Sequence, residues 1–335
     1  MKHNDSNNVV WDLIKSCTSP KNTLSLRLIL VKHFMRLLRI IIFIAFLLFL
    51  LPSGCRKTPE PPSPEDSDIF VACIPFPGTN QSLDIVTFNI ETFPINGYTS
   101  VIAVANLLKT IDADLYALQE VASESGFNQL LNLLPGYSGL FYLINNSDWN
   151  LAYIYKVSEV TVNAASTRLL FTDSEYFPRP PFEIKIHSGS TNLDLYIINN
   201  HLKCCGGSEN ETSRRIASEM LKDYVDNSRP HDAVVILGDL NDEITGTGSS
   251  ENPFLNFIND PVDFRFADMN IAKGSQLWWS YPSYPSHIDH ILITNELFSR
   301  VDTALVYKAA PCYSNYSTYI SDHRPVGIKL ISPDR

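Results

Sequence analysis

The sequence predicts one α/β domain of about 255 residues, starting near Leu83 and ending close to the C-terminus. Three observations predict it. From Leu83 onward, short apolar runs rich in Ile, Val and Tyr alternate with polar turns and helical stretches. The composition, 44% hydrophobic and 19% charged, is that of a globular protein and excludes wholesale disorder, collagen and coiled coil. No internal repeat divides the chain.

The elements follow in order. Strands are expected at 83–90, 115–119, 151–156, 193–200, 233–237, 288–294 and 325–330, where β-branched and aromatic residues gather between turn signals. Helices are expected at 100–111 and 211–225. The second opens with acids and has apolar residues at 216, 220, 221 and 224, a one-faced spacing.

The first 80 residues read differently. Met35-Arg36-Leu37-Leu38-Arg39 is basic, and Ile40 to Leu51 is a run of twelve apolar residues, too short for the roughly 20 that span a bilayer. Pro52-Ser53-Gly54-Cys55 follows. Basic, apolar, then small residues is the layout of an export signal, expected over 35–54. A Cys after Ser-Gly resembles the lipobox of bacterial lipoproteins, although Pro52 stands where Leu is usual. Lipidation of Cys55 would tie the protein to the cell envelope, with plain secretion as the alternative. Residues 1–34 are expected to be an upstream extension, with translation starting at Met35. Residues 55–80 are Pro-rich and acidic at first, and read as an extended tether. The domain proper is expected over 81–332, as a monomer.

The chain carries 26 Lys plus Arg against 36 Asp plus Glu, so a fold-wide basic footprint for nucleic acid is absent. Without residues 1–54 the balance is 19 against 34, a net −15. Any polyanion must be held locally or through metal ions. Past Cys55, four cysteines remain: Cys73, Cys204, Cys205 and Cys312. Bonding between neighbours Cys204 and Cys205 is strained. The pairing expected is therefore from these two to Cys73 and Cys312, with free thiols as the alternative.

The informative polar residues sit where buried strands run out, the place where ligands bind in α/β folds. Asn89 and Glu91 flank Ile90 and share one face of a strand. Glu120 follows an apolar run directly, so its carboxylate needs a cationic partner. His201 ends another run. Asp239 and Asn241 follow Gly238, where the chain is expected to turn, and together can polarise a water and hold a phosphoryl oxygen. Asp289 begins an apolar strand. Asp322 and His323 precede the last strand, and a His beside acids is a general acid/base candidate. His187, His231, His287 and His290 read as structural or solvated.

In order, Thr-Phe-Asn-Ile-Glu (87–91), Leu-Gln-Glu-Val (118–121), Asn-His-Leu-Lys (200–203), Gly-Asp-Leu-Asn-Asp (238–242), Ile-Asp-His-Ile-Leu (288–292) and Ser-Asp-His-Arg-Pro-Val (321–326) resemble the endonuclease/exonuclease/phosphatase family. The resemblance implies a deoxyribonuclease I-like α/β/β/α sandwich with two mainly antiparallel sheets. It implies Mg²⁺ or Mn²⁺ held by Glu120, with Glu91, Asn89 and Asp322 beside it. It also implies that Asp239 orients or deprotonates water and Asn241 holds phosphate. His323, oriented by Asp289, would contact a phosphate oxygen or act as acid/base, and His201 matches a general acid of some branches. The expected activity is hydrolysis of a phosphodiester in nucleic acid, a phospholipid headgroup or a small molecule. The alternatives are an inositol phosphate type of phosphomonoesterase and an inactive surface binding module. Arg214 and Arg215 could meet phosphates, and the aromatic loop of Trp278, Trp279, Tyr281 and Tyr284 could stack a base, sugar or headgroup.

Overall fold

The computed structural model describes Met35 and residues 67–144, 149–246 and 252–332. Apart from Met35, the expected upstream extension, export signal and lipidated Cys55 lie outside the described residues.

The chain runs β1 (Ser82–Phe93), α1 (Tyr98–Ile111), β2 (Leu115–Val121), α2 (Glu124–Asn132), β3 (Tyr137–Tyr142), β4 (Asn150–Lys156), β5 (Val160–Leu169), β6 (Phe182–Ser188) and β7 (Leu193–His201). It continues with α3 (Ser208–Ser228), β8 (Val234–Asp239), α4 (Leu255–Ile258), β9 (Phe264–Phe266), α5 (Met269–Ala272), β10 (Asp289–Thr294), β11 (Val301–Val306), α6 (Tyr316–Tyr319) and β12 (Val326–Ile331). The seven strands and two helices expected from sequence fall on β1, β2, β4, β7, β8, β10, β12, α1 and α3.

Two six-stranded sheets result, ordered β11-β12-β1-β2-β4-β3 and β5-β6-β7-β8-β10-β9. Each has one parallel pair, β1 with β2 and β7 with β8, and is otherwise antiparallel. The parallel pairs are joined by the crossover helices α1 and α3, as a parallel connection requires. Between the sheets lies an apolar core in which Ile85, Leu115 and Tyr153 of the first meet Ile197, Leu237 and Ile291 of the second. On the outer face of the first sheet, α1 and α2 bury Val104, Leu108 and Phe127. On the outer face of the second, α3 buries Ala217, Leu221 and Val225. This is the expected α/β/β/α sandwich.

Tyr153 fastens the two sheets. Its hydroxyl donates to the Phe182 carbonyl at 2.6 Å and accepts the Asn199 N–H at 2.9 Å, two groups on neighbouring strands of the opposite sheet.

Two expectations are corrected. Residues 67–80, assigned to the tether, carry a 3₁₀ helix (Ser67–Cys73), and Phe70 and Ile74 are buried against the outer face of the first sheet. The disulfide joins Cys73 to Cys312 and leaves Cys204 and Cys205 free. Cys73 and Cys312 both lie by the outer core of the first sheet, whereas the adjacent pair follows β7 in the second.

Candidate active site

The sheet topology brings the polar strand ends together. A parallel pair ends both strands at the same edge, so β1 and β2 place Asn89 and Glu91 beside Glu120. In the same way β7 and β8 set His201 opposite Asp239. Strand β10 runs antiparallel to β8, so its first residue, Asp289, also lies opposite Asp239. The loop before β12 returns Asp322 and His323 to the end of β1. It is pinned there by the Ser321 hydroxyl, which donates to the Asn89 carbonyl at 2.7 Å and accepts the His323 N–H at 2.9 Å.

The local backbone is strained where it aims these side chains. Among the described residues, eight non-glycine positions have positive φ, and Glu91, Thr92, Glu120, Cys205 and Asn241 cluster here. Gly238 lies inside β8 and the chain does not turn there. Its φ is 141°, and a Cβ would meet the Asn200 carbonyl oxygen at 2.0 Å. Glycine is needed for the close approach of β7 to β8 rather than for the expected turn.

Asn89 is the hub. Its Nδ2 donates to Glu120 Oε1 at 3.0 Å and to Asp239 Oδ2 at 2.9 Å, and its Oδ1 accepts the Glu91 N–H at 3.0 Å. Glu120 Oε2 accepts the Thr92 N–H at 3.0 Å, and Glu91 Oε2 accepts the Asp322 N–H at 2.9 Å. Among the described residues, no Lys or Arg is salt-bridged to Glu91, Glu120, Asp239 or Asp322; the rings of His201 and His323 lie 3.6–3.8 Å from Glu120, Asp239 and Asp322. The excess of carboxylates shows in their titration. Burial and then Asp322 push Glu91 up to about 7. Burial and then Asp289 push Asp239 up to about 7. Asp322 is also raised, by burial first. Carboxylates of this kind with an asparagine oxygen form a hard donor set, which suits Mg²⁺, Ca²⁺ or Mn²⁺ and not a thiophilic metal.

His323 donates from Nδ1 to Asp289 Oδ2 at 2.8 Å. Burial alone would lower its pKa, but Asp289 and Asp239 outweigh burial and hold it at about 10, an imidazolium. The pair fixes the ring and leaves Nε2 facing Asp239 and Asp322. His201 is the opposite case. Burial, with Arg179 nearby, holds it well below its ordinary value, so it is neutral. Its Nε2 is 3.6 Å from Asp239 Oδ2. Asn241 accompanies them: its N–H donates to Asp239 Oδ1 at 3.0 Å and its Nδ2 to the Leu202 carbonyl at 3.2 Å. Every site residue expected from sequence therefore belongs to one constellation.

Sequence reasoning missed Arg179. This residue is buried, stacks 4.7 Å from the Trp149 ring centroid, and donates to the Leu202 carbonyl at 3.3 Å. Its signal was an arginine between prolines in Phe-Pro-Arg-Pro-Pro, just before a strand. Of the two arginines that could meet phosphate, Arg214 binds Asp242 and the carbonyls of Lys203 and Cys205, and Arg215 pairs with Glu219 on the surface. The aromatic loop divides. Tyr281 packs at a tilt with its ring centroid 4.9 Å from that of His323 and Tyr284 stands exposed at the rim, while Trp278 lies against Lys308.

His287 and His290 are structural, as expected. With Asp268 they form a buried group in which Asp268 Oδ2 takes both rings, at 3.0 and 2.6 Å. The other His290 nitrogen donates to the Asp242 carbonyl at 3.0 Å, so both ring nitrogens are protonated. Their lone pairs are already engaged, which excludes metal binding without rearrangement.

Together the strand ends line a cavity of about 530 Å³ that includes Glu91, Glu120, His201, Asp239 and His323. Acidic residues with oxygen donors, a buried carboxylate of raised pKa and an imidazolium beside it define a class of site, one that hydrolyses phosphoric esters with a divalent ion. The sequence profile of the endonuclease/exonuclease/phosphatase family matches residues 86–323, and the chain belongs to that family. It is a phosphoric ester hydrolase of a family that depends on divalent metal ions.

Solved structures share the fold. TDP2 of D. rerio complexed with single-strand DNA product is 13% identical, with 75% of this chain and 99% of that one covered and a TM-score of 0.59. The catalytic domain of human nocturnin with bound sulfate anion is 17% identical, with coverage of 74% and 93% and a TM-score of 0.53. The endonuclease/exonuclease/phosphatase from Bacteroides vulgatus is 15% identical, with coverage of 74% and 98% and a TM-score of 0.55. No curated protein matches the chain significantly in sequence.

Proposed function

We propose that the chain is a Mg²⁺- or Mn²⁺-dependent phosphodiesterase, exported and held at the cell envelope by a lipid on Cys55. The observation that carries the diesterase reading is the cation count of the cavity. Of its two arginines, Arg214 is engaged by Asp242 and by loop carbonyls, which leaves Arg179. One guanidinium with no salt-bridged carboxylate among the described residues, beside a divalent ion, suits a singly charged diester better than a multiply charged inositol phosphate. Exposed Tyr284 at the rim offers a face on which a base can stack. TDP2, which shares the fold, was crystallised with a single-strand DNA product, and this supports testing nucleic acid first.

The residues have distinct tasks. A divalent ion held by Glu120, with Glu91, Asn89 and Asp322, would neutralise the phosphoryl charge and stabilise the leaving oxygen. Asp239, titrating near 7, accepts a proton from the attacking water at neutral pH. Imidazolium His323, held by Asp289, donates to a phosphoryl oxygen. Neutral His201 supplies a second N–H toward the leaving side, and Asn241 orients the phosphate.

The test is hydrolysis of bis-p-nitrophenyl phosphate, single-stranded and plasmid DNA, a phospholipid and an inositol phosphate by the full-length chain. Each is run with Mg²⁺, Mn²⁺ or EDTA, beside Glu120→Ala. Metal-dependent diester cleavage lost in the variant is expected, and preference for the monoester would overturn the reading. Export and anchoring are supported by the basic, apolar and small segments ending at Cys55. No helix of the described residues is long and apolar enough to cross a membrane. Palmitate labelling that disappears in Cys55→Ser is the expected result, and no labelling of wild type would remove the anchor.

A further inference from the structure

We propose that Cys204 and Cys205 form a reversible dithiol–disulfide couple, a modification site at the mouth of the catalytic cavity that sets how firmly its phosphate side is held. The two sulfurs are 2.7 Å apart, against about 2.05 Å in a formed bond. Both residues line the cavity that holds Glu120 and Asp239. The adjacency that argues against such a bond in a relaxed chain is overcome locally, because Cys205 is held at φ 76° and its carbonyl is gripped by Arg214 at 2.9 Å. Cys73 and Cys312 are bonded to each other, so among the described residues no other cysteine competes for this pair.

The chemistry is thiol–disulfide exchange with a small disulfide such as oxidised glutathione. Cys205 is exposed, whereas burial and the neighbouring thiol raise the pKa of Cys204. The Cys205 thiolate therefore attacks first and releases one glutathione thiol. The Cys204 thiolate then displaces the second from the mixed disulfide. One S–S bond breaks and one forms, and the two protons and two electrons leave on two molecules of glutathione.

The loop connects this pair to catalysis. The Leu202 carbonyl accepts from Asn241 at 3.2 Å and from Arg179 at 3.3 Å, both long bonds. Ring closure removes freedom from residues 204 and 205, two positions after that carbonyl, and so restricts its movement, which makes the oxidised form the better organised one. The kinetic part of this inference rests on the diesterase reading, and the covalent part does not.

The full-length chain is treated with oxidised glutathione and digested with trypsin. Both cysteines then fall in one peptide, residues 204–214. The expected product has lost two hydrogens, carries no glutathione, and reverts with mild dithiothreitol. Cys205→Ser forms no such product. A lasting glutathione adduct, or two thiols still open to alkylation, would overturn the couple. Oxidation is expected to lower KM for the diester roughly three-fold with little change in kcat, and to slow amide exchange at 202–206. Unchanged or raised KM, or unchanged exchange, would overturn the coupling. The exchange measurement decides the matter even if no diester is turned over, an outcome that would count against the activity alone.

Discussion

Replacing Asp289 by Asn removes a negative charge 2.8 Å from His323 Nδ1 while keeping the shape of the side chain. In the wild type, the opposing effect of burial is overcome by Asp289 and Asp239, and His323 is raised from 6.5 to about 10. That rise is worth on the order of 5 kcal/mol favouring the imidazolium, and Asp289 is the largest contributor among the carboxylates. Burial then dominates in Asp289→Asn, so His323 should titrate near or below neutrality and lie uncharged at alkaline pH. Histidine resonances followed by NMR across a pH series measure this directly. Diester hydrolysis should fall about 10²–10⁴-fold in kcat at alkaline pH, the range for losing a positioned acid. If His323 in the variant still titrated above about pH 9, or kcat stayed within about three-fold of wild type, the roles given to the pair would be wrong.

Three further outcomes are expected. Tyr153→Phe leaves the Asn199 N–H and the Phe182 carbonyl without their buried partner, so urea unfolding should show a loss of about 2–4 kcal/mol, and a loss under about 1 would be contrary. Asp239 and Glu91 rise from 3.8 and 4.5 to about 7, so their contribution to stability is complete at acid pH and lost as pH climbs through about 7. Mg²⁺ should accordingly raise Tm more at pH 8 than at pH 5, with EDTA reversing the gain, and equal rises at both would contradict it. Arg179→Met should raise KM for a diester roughly ten-fold with a smaller effect on kcat, because the guanidinium contacts the ground state and the transition state alike, and steady-state kinetics would show the reverse if it did not.

The strands read from sequence share a position. Strands β1, β2, β4, β7, β8, β10 and β12 fill the interior of the two sheets, where burial on both faces writes a continuous apolar run. The four edge strands, β3, β5, β9 and β11, left no such trace. Val-Thr-Val-Asn-Ala-Ala-Ser-Thr-Arg-Leu of β5 is half exposed and reads as a loop. Strand β6 was interior and still missed, because Phe-Glu-Ile-Lys-Ile-His-Ser buries Glu183 within an alternating pattern. Glu183 is held there by Arg168, Tyr224 and Arg229, partners distant in sequence.

The sequence by itself determined the family and the α/β class, and it marked the polar strand ends that the fold gathers, because polar groups at the ends of apolar runs are a local pattern. Tertiary structure decided what those residues do. The same imidazole is neutral at 201 and charged at 323, since burial, with Arg179 nearby, governs the first, whereas Asp289 and Asp239 outweigh burial at the second. It decided that Arg214 braces a loop while Arg179 faces the cavity. It also decided that Cys73 bonds Cys312 across 239 residues and leaves two neighbouring thiols at the cavity mouth. Each of these outcomes depends on distances between segments far apart in the chain, and charge, burial and bonding act through distance in space.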